Sequence, residues 1–271
     1  MATSPPVAGA LRVRGLSCRF GGVQAVSGID LDVAGGERRA ILGPNGAGKT
    51  TLFNLLSGEV YPTAGQVEVF GQDVTLTPAR KRIKLGLTRT YQTSRLFPRL
   101  SVAENIYLAV VGAEGGQLRP LRLHRDDEFE ARARQIASRV GLNDRLEVVV
   151  ASLSHGEQRQ LEVALALGGK PKIMMLDEPA AGLSPAERGS LTDLLVSLDP
   201  AVTLLVVEHD MDVALRVAQR VTVMHEGRVV ADGTPAEIRG NQLVHDLYLG
   251  RAYQPPSPSG RGQGGGRSVT D

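Results

Sequence analysis

Gly43-Pro44-Asn45-Gly46-Ala47-Gly48-Lys49-Thr50-Thr51 fits the phosphate-loop pattern G-x-x-x-x-G-K-[ST]. The apolar run Ala40-Ile41-Leu42 precedes it and reads as a buried strand. Thr51-Leu52-Phe53-Asn54-Leu55-Leu56 follows and reads as the start of a helix. Strand, glycine loop and helix N-terminus are the context in which this pattern does chemistry. The glycines let the backbone curl so that successive N–H groups converge on phosphate oxygens. The helix N-terminus adds partial positive charge. In that arrangement Lys49 reaches the β- and γ-phosphates and the Thr50 hydroxyl ligates Mg²⁺.

The rest of the composition agrees with a globular, reducing-compartment protein. The chain has 271 residues, 42% of them hydrophobic, enough for one large core. Its single cysteine, Cys18, excludes an internal disulfide. Met1 to Ala10 has neither a basic start nor a long apolar stretch, so no signal peptide is expected. The longest apolar runs are far too short to span a bilayer. Net charge is +2, and the tail Arg251 to Asp271, with three arginines and one aspartate, accounts for it. A near-neutral folded part argues against a nucleic-acid partner.

Outward from the loop, the pattern is mixed α/β. Apolar and polar residues alternate over Leu11–Phe20, Ile29–Val33 and Gly65–Gly71, predicting half-buried antiparallel strands. Ile173–Leu176, Thr203–Val207 and Val221–Met224 read as buried strands, with helical patterns between them, predicting a largely parallel sheet. Three capping boxes mark helix starts, at Ser101/Glu104, Ser184/Glu187 and Thr234/Glu237. From about residue 94 to 168 strand signals fade, which predicts an inserted helical subdomain. One of its helices runs from Phe129 to Val140 and is stopped by Gly141. Residues 1–10 are expected to be loose. Residues 251–271, rich in Gly, Pro, Ser and Arg, are expected to be a disordered tail.

A second acidic constellation completes the chemistry. The run Ile173-Met174-Met175-Leu176 ends in Asp177-Glu178-Pro179. An acid at a buried strand tip is where a phosphate-loop protein holds its metal, so Asp177 is the metal-side candidate. Glu178, one residue on, is placed to polarise a water for attack on the γ-phosphate.

With Leu153-Ser154-His155-Gly156-Glu157-Gln158, the chain resembles the ATP-binding cassette ATPases, whose signature reads Leu-Ser-Gly-Gly-Gln or Leu-Ser-Gly-Gly-Glu-Gln. The resemblance covers about residues 11–250. It implies a P-loop NTPase core with an antiparallel β subdomain and an inserted helical subdomain. It also implies two cassettes, each a homologue of the other or a second copy, that sandwich two ATP molecules. The signature residues Ser154, Gly156 and Glu157 then face ATP held by the other chain. Gly43, Pro44, Asn45, Gly46, Ala47, Gly48, Lys49, Thr50 and Thr51 hold the chain's own nucleotide. Gln92 resembles the glutamine that senses Mg²⁺ and water and links to the membrane partner. His209 resembles the switch histidine on the γ-phosphate, and Phe20 the aromatic that stacks on adenine. Ala181-Gly182-Leu183-Ser184 resembles the loop that crosses to the other subunit. Two positions depart from the family pattern: His155 replaces the first signature glycine, and Ser184 replaces the usual aspartate of the crossing loop.

Three stretches narrow the resemblance to ATPase subunits of branched-chain (hydrophobic) amino-acid importers. They are Arg95 to Asn105, the crossing loop Ala-Gly-Leu-Ser-Pro, and Asn241 to Gly250. The implied partners are separate transmembrane permease subunits and, indirectly, a periplasmic substrate-binding protein. The implied location is peripheral, on the cytoplasmic face of the inner membrane. Ser94 to Leu100 is the segment expected to receive a short permease helix. Related readings are a urea or amide importer and a lipid or lipopolysaccharide exporter. A soluble cassette acting on ribosomes or DNA usually carries a fused second cassette or a coiled-coil insertion, and neither pattern is present. Intact Glu178 and His209 argue against a binding-only cassette.

Overall fold

The computed structural model describes residues 9–90, 96–113 and 127–249. The chain opens with a hairpin, β1 (Gly9–Phe20) and β2 (Val23–Ala34), turned at Gly21-Gly22. Leu11, Val13, Leu16 and Cys18 of β1 are buried, as are Val26, Ile29, Leu31 and Val33 of β2. The register Val13↔Leu31 and Leu16↔Ile29 puts these side chains on one face. β1 begins two residues before the alternating pattern does, because Ala10 is buried too.

The decisive stretch folds as its spacing predicts, with one shift. β3 (Arg38–Leu42) leads into the glycine loop, and α1 (Lys49–Ser57) starts at Lys49, two residues ahead of Thr51. Next come β4 (Ala64–Val69), β5 (Gln72–Asp73), α2 (Ala79–Ile83) and β6 (Leu87–Arg89). The described helices α3 (Val102–Ala113), α4 (Asp127–Arg139) and α5 (His155–Gly168) follow. Gly141, at φ 78, ends the α4 segment. The remainder alternates: β7 (Ile173–Asp177), α6 (Pro185–Ser197), β8 (Thr203–Val207), α7 (Met211–Val217), β9 (Arg220–His225), β10 (Arg228–Gly233), α8 (Pro235–Arg239) and α9 (Gln242–Leu249). All three expected capping boxes are formed. Ser154 and Glu157 form another at the start of α5.

Two sheets result. The smaller is antiparallel, in the order β2-β1-β4-β5. The larger has the order β10-β9-β3-β8-β7-β6 and is parallel except for its edge strand β10. β6, β10 and α2 carry no sequence signal strong enough to mark them. Ile173 and Met175 of β7, and Leu205 and Val207 of β8, pack with the antiparallel sheet and α1. Met174, Leu176, Leu204 and Val206 face the other way, into the core built with α3, α4, α5 and α6. Covered on both faces, β7 and β8 are apolar at every position except their end residues Asp177 and Thr203, which is why they read as apolar runs.

A buried arginine fastens the far end of α1. Arg82 of α2 is fully buried and donates to the carbonyls of Leu55, Leu56, Val74, Thr75 and Thr77. Leu55 and Leu56 lie in the last turn of α1, where carbonyls lack helical partners. Burial pulls the Arg82 pKa down to about 10.

Candidate active site

Parallel order brings three carboxyl-terminal strand tips to one edge. Asp177 pairs with Val207 in register, and Ile41 pairs with Val207 on the other side. The glycine loop, Asp177-Glu178 and Glu208-His209 therefore emerge side by side, at the crevice where open α/β sheets bind ligands.

Gly43 and Gly48 of the loop are fixed by backbone neighbours. A Cβ on Gly43 would stand 2.3 Å from the Met224 carbonyl oxygen. One on Gly48, at φ 95, would stand 2.4 Å from that of Ala25. Gly48 is also the N-cap of α1, which has no side-chain cap and no acidic residue in its first turn. Such a terminus keeps its amides for an external anion. Lys49 is buried and donates from Nζ to the carbonyls of Gly43 (2.6 Å) and Pro44 (3.1 Å). Burial lowers its pKa, while Glu178, Asp177 and Glu208 pull it back up, so these three acids lie within electrostatic reach of the ammonium. A cleft of about 560 Å³ is lined by Gly46, Gly48, Lys49, Thr50, Thr51 and Glu178, among others. Its wall also includes Val23, Gln24 and Ala25 of β2 and the β9–β10 turn at Glu226-Gly227, which the sequence did not single out.

Asp177 is buried. Its Oδ2 accepts from Arg89 Nη2 at 2.8 Å, and its Oδ1 has no partner. Arg89 also donates to Asn54 Oδ1 and Ser57 Oγ and lies over the Phe53 ring, which ties β6 and β7 to α1. Nothing in the sequence marks Arg89; only the pairing of β6 with β7 puts it beside Asp177. Among the described residues no three His, Cys, Asp or Glu side chains cluster as a self-sufficient metal site. One buried carboxylate oxygen and the exposed Thr50 hydroxyl suit a cation that keeps water and phosphate oxygens as its other ligands, as Mg²⁺ does.

Glu178 has φ 50, a conformation side chains other than glycine rarely adopt, and its N–H donates to the Val207 carbonyl at 2.9 Å. Glu208 is fully buried; its Oε1 accepts from the Ala180 N–H at 3.0 Å, locking the β8 tip to the loop after Glu178. Burial raises the Glu208 pKa to about 7. Its only sequence signal was an acid between an apolar run and His209. His209 is exposed, with Asp210 behind it capping α7 and pairing with Arg188 of α6 at 2.5 Å. Phe20 is 51% exposed and pairs across the hairpin with Val23; it is not one of the cleft-lining residues. Gln92 lies outside the described residues.

The signature stretch lies outside this cleft. Ser154 Oγ accepts from Glu157 N–H, and Glu157 Oε2 accepts from Ser154 N–H. Glu157 Oε1 is also taken, by Arg145 at 2.7 Å, so its carboxylate is committed within the chain. Gly156 is buried, and His155 stands exposed beside Gly182 of the crossing loop.

Residues 26–181 match the ABC transporter family model. The chain belongs to the ATP-binding cassettes of ABC transporters, which bind ATP and hydrolyse it to power transport. Residues 228–254 of the cassette match a second model, the branched-chain amino acid ATP-binding cassette transporter. The cassette is 38% identical over 250 residues to the high-affinity branched-chain amino acid transport ATP-binding protein LivG of Escherichia coli (strain K12), covering 89% of this chain and 98% of that one. It is 37% identical, with the same coverage, to BraF of Pseudomonas aeruginosa, a protein of the same description. Among solved structures, the ADP conformation of the cassette MJ1267 superposes with a TM-score of 0.80 at 25% identity, covering 90% of this chain and 99% of that one. The dimeric cassette MJ0796 shares the fold, with a TM-score of 0.70 at 24% identity over 83% of this chain and 98% of that one. Among the described residues no helix is long and apolar enough to cross a membrane.

Proposed function

We propose that this cassette is the ATP-hydrolysing subunit of a branched-chain amino-acid importer and works peripherally on the cytoplasmic face of the inner membrane. The observation that carries the cargo reading is the match of residues 228–254, the C-terminal stretch, to the branched-chain model. The catalytic core alone would not carry it. A ribose import ATP-binding protein of Rubrobacter xylanophilus is also 38% identical, over 89% of this chain, although the chain covers only 48% of that protein.

In this reading the glycine loop and Lys49 hold the nucleotide phosphates, and Phe20 stacks on adenine. Thr50, Asp177 and Gln92 would hold Mg²⁺ directly or through water, and the ion would supply positive charge beside the phosphate oxygens. Glu178 takes a proton from the attacking water as the γ-phosphate is transferred to it, giving ADP and phosphate. His209 orients that phosphate. Support for Glu178 comes from its strained backbone, fixed by Val207, and its place on the cleft wall. Ser154 and Gly156 lie outside their own chain's cleft, as they must if they close on nucleotide held by a second cassette.

Permease docking is assigned to an apolar cavity of about 240 Å³ lined in part by Ala79, Ile83, Leu87, Leu96 and Leu165. Ile83 and Phe97 are each more than half exposed there or nearby. Charged substitutions at Leu96 and Phe97 should release the chain from membranes while ATP binding survives; unchanged membrane recovery would move the docking surface elsewhere. Cargo is tested by uptake of radiolabelled leucine, valine and isoleucine into cells lacking the chain and cells resupplied with it. Uptake restored by the wild-type chain but not by Glu178→Gln is the expected result. Restored uptake of urea instead would overturn the cargo assignment.

A further inference from the structure

The first turn of α5 is filled from within the chain by two carboxylates. Glu157 closes the capping box with Ser154. The second carboxylate comes from another helix. The Gly156 N–H donates to Glu187 Oε1 at 3.0 Å. Glu187 Oε2 accepts from the Ser184 N–H at 3.0 Å and the Ser184 hydroxyl at 2.7 Å. One side chain thus spans two helix starts, α5 and α6.

The fit explains the glycine. A Cβ at position 156 would lie 2.8 Å from Glu187 Oε1 and 2.9 Å from its Cγ. The neighbouring contact is complementary: His155 Nε2 lies 3.2 Å from where a Gly182 Cβ would be. Both departures from the family pattern therefore have a place. His155 packs on the crossing loop, and Ser184 caps α6 and steadies Glu187. The Glu187 carboxyl is held below the usual carboxylate range, first by the Ser184 hydroxyl, then by the amides of Ser184 and Gly156, with His155 nearby. At neutral pH it is an anion on a helix N-terminus, the kind of group a phosphate oxygen also is.

We propose that Glu187 is a positioning residue of the two-chain nucleotide site, its carboxylate holding the Gly156 amide and yielding it to a phosphate oxygen of the nucleotide carried by the facing cassette. The proposal rests on the two-cassette reading above. Pairing then requires a phosphate able to displace a carboxylate, which favours nucleotides that present a terminal γ-phosphate.

The test is the Mg-ATP concentration at which chains pair, read by light scattering. The reference is the full chain carrying Glu178→Gln, alone and with the second cassette of its own transporter. The comparison chain also carries Glu187→Gln. Glutamine preserves the capping box and removes the competing charge. The expected result is pairing at about fivefold less ATP, the difference between a charged and a neutral acceptor on one amide. Glu187→Asp keeps the charge but falls a methylene short of Gly156, and is expected to behave like Glu187→Gln. An unchanged midpoint in both variants makes Glu187 a simple cap and overturns the proposal. A raised midpoint overturns it too, because the carboxylate then helps pairing. If the reference chain itself never pairs with any partner, the two-cassette reading falls and the proposal with it, a result distinguishable because it appears before Glu187 is touched.

Discussion

The N-termini of α1 and α5 are both glycine-containing starts with a phosphate assignment, and they are built in opposite ways. α1 has a glycine N-cap in the left-handed region, no side-chain cap and no acid in its first turn, with buried Lys49 beside it. α5 has a serine N-cap, a closed capping box and a further carboxylate on Gly156. The glycines differ as well. Gly48 is hemmed in by a backbone carbonyl, Gly156 by the Glu187 side chain from Cγ to Oε1. One terminus is rigid and left for an external anion; the other is satisfied internally and exchangeable. The proposed two-chain site would use that asymmetry: α1 would hold the nucleotide and α5 of the facing cassette would complete it.

The largest effect expected lies on the α1 side of the comparison. Glu178→Gln should lower steady-state ATP turnover by ~10²–10⁴, the usual loss of a general base, because an amide cannot accept the proton of the attacking water. ATP affinity should survive, since the loop and Lys49 are untouched. Turnover like that of the wild type would remove Glu178 from the chemistry and leave the α1 cleft as a binding site only.

Substituting the two glycines sharpens the contrast directly. Gly48→Ala puts a Cβ 2.4 Å from the Ala25 carbonyl oxygen at φ 95. It should cost about 3 kcal/mol in urea unfolding and abolish nucleotide binding. Gly156→Ala meets the Glu187 side chain first, at Oε1 and Cγ, and a change of Glu187 rotamer that gives up the Gly156 bond would make room. Its stability cost should stay near 1 kcal/mol or below, the range of an exchanged hydrogen bond offset by better helix propensity. Equal costs would mean that the α5 start is as rigid as the α1 start.

Glu208 joins the β8 tip to Ala180 beside the α1 cleft and carries a pH signature. Burial lifts its carboxyl from the ordinary 4.5 to about 7. The folded state therefore holds this proton more tightly than the unfolded state. That stabilisation is complete below about pH 4.5 and is lost as pH rises through 7. Thermal unfolding of the wild type should lose up to roughly 3 kcal/mol across this window. Glu208→Gln, which keeps an acceptor for the Ala180 N–H, should flatten the profile and be the more stable protein at pH 8. Parallel profiles would mean that Glu208 is solvated as it titrates.

The α1 side was legible because its constraints are local. A strand, four spaced residues, then Gly-Lys-Thr suffices to place Gly43 to Thr51, and the apolar runs ending at Asp177 and Val207 deliver the acids and His209 to the same edge. What the sequence left out depends on contacts between distant segments. Arg89 meets Asp177 only because a three-residue strand, β6, joins the sheet beside β7. Arg82 is an ordinary basic residue until the carbonyls of α1 and of residues 74–77 surround it. The hairpin wall at Val23–Ala25 reaches the cleft through the packing of one sheet on another. The α5 side was half legible: Ser154 stood out as a signature residue and Glu187 as a helix-start residue, but not the bond from Gly156 to a carboxylate 31 residues away.

The smallest effect expected belongs to Ser154, and it separates its two roles. Its hydroxyl accepts the Glu157 N–H at 3.2 Å as the α5 N-cap. Ser154→Ala should therefore cost about 1 kcal/mol of stability, the usual loss of a serine cap. In the isolated chain, nucleotide affinity should not change, because Ser154 lies outside the cleft lined by Lys49 and Thr50. If α5 faces the neighbour's nucleotide as proposed, the same substitution in the assembled transporter removes a hydroxyl from that phosphate, and the ATP dependence of turnover should weaken by more than the stability loss explains. Differential scanning of the isolated chain and ATP titration of the complex measure the two effects separately. A fall in ATP affinity in the isolated, monomeric chain would place α5 at its own nucleotide and erase the division of labour between the two helix starts. An unaltered complex with the expected stability loss would reduce Ser154 to a cap and leave Gly156 alone to receive the phosphate.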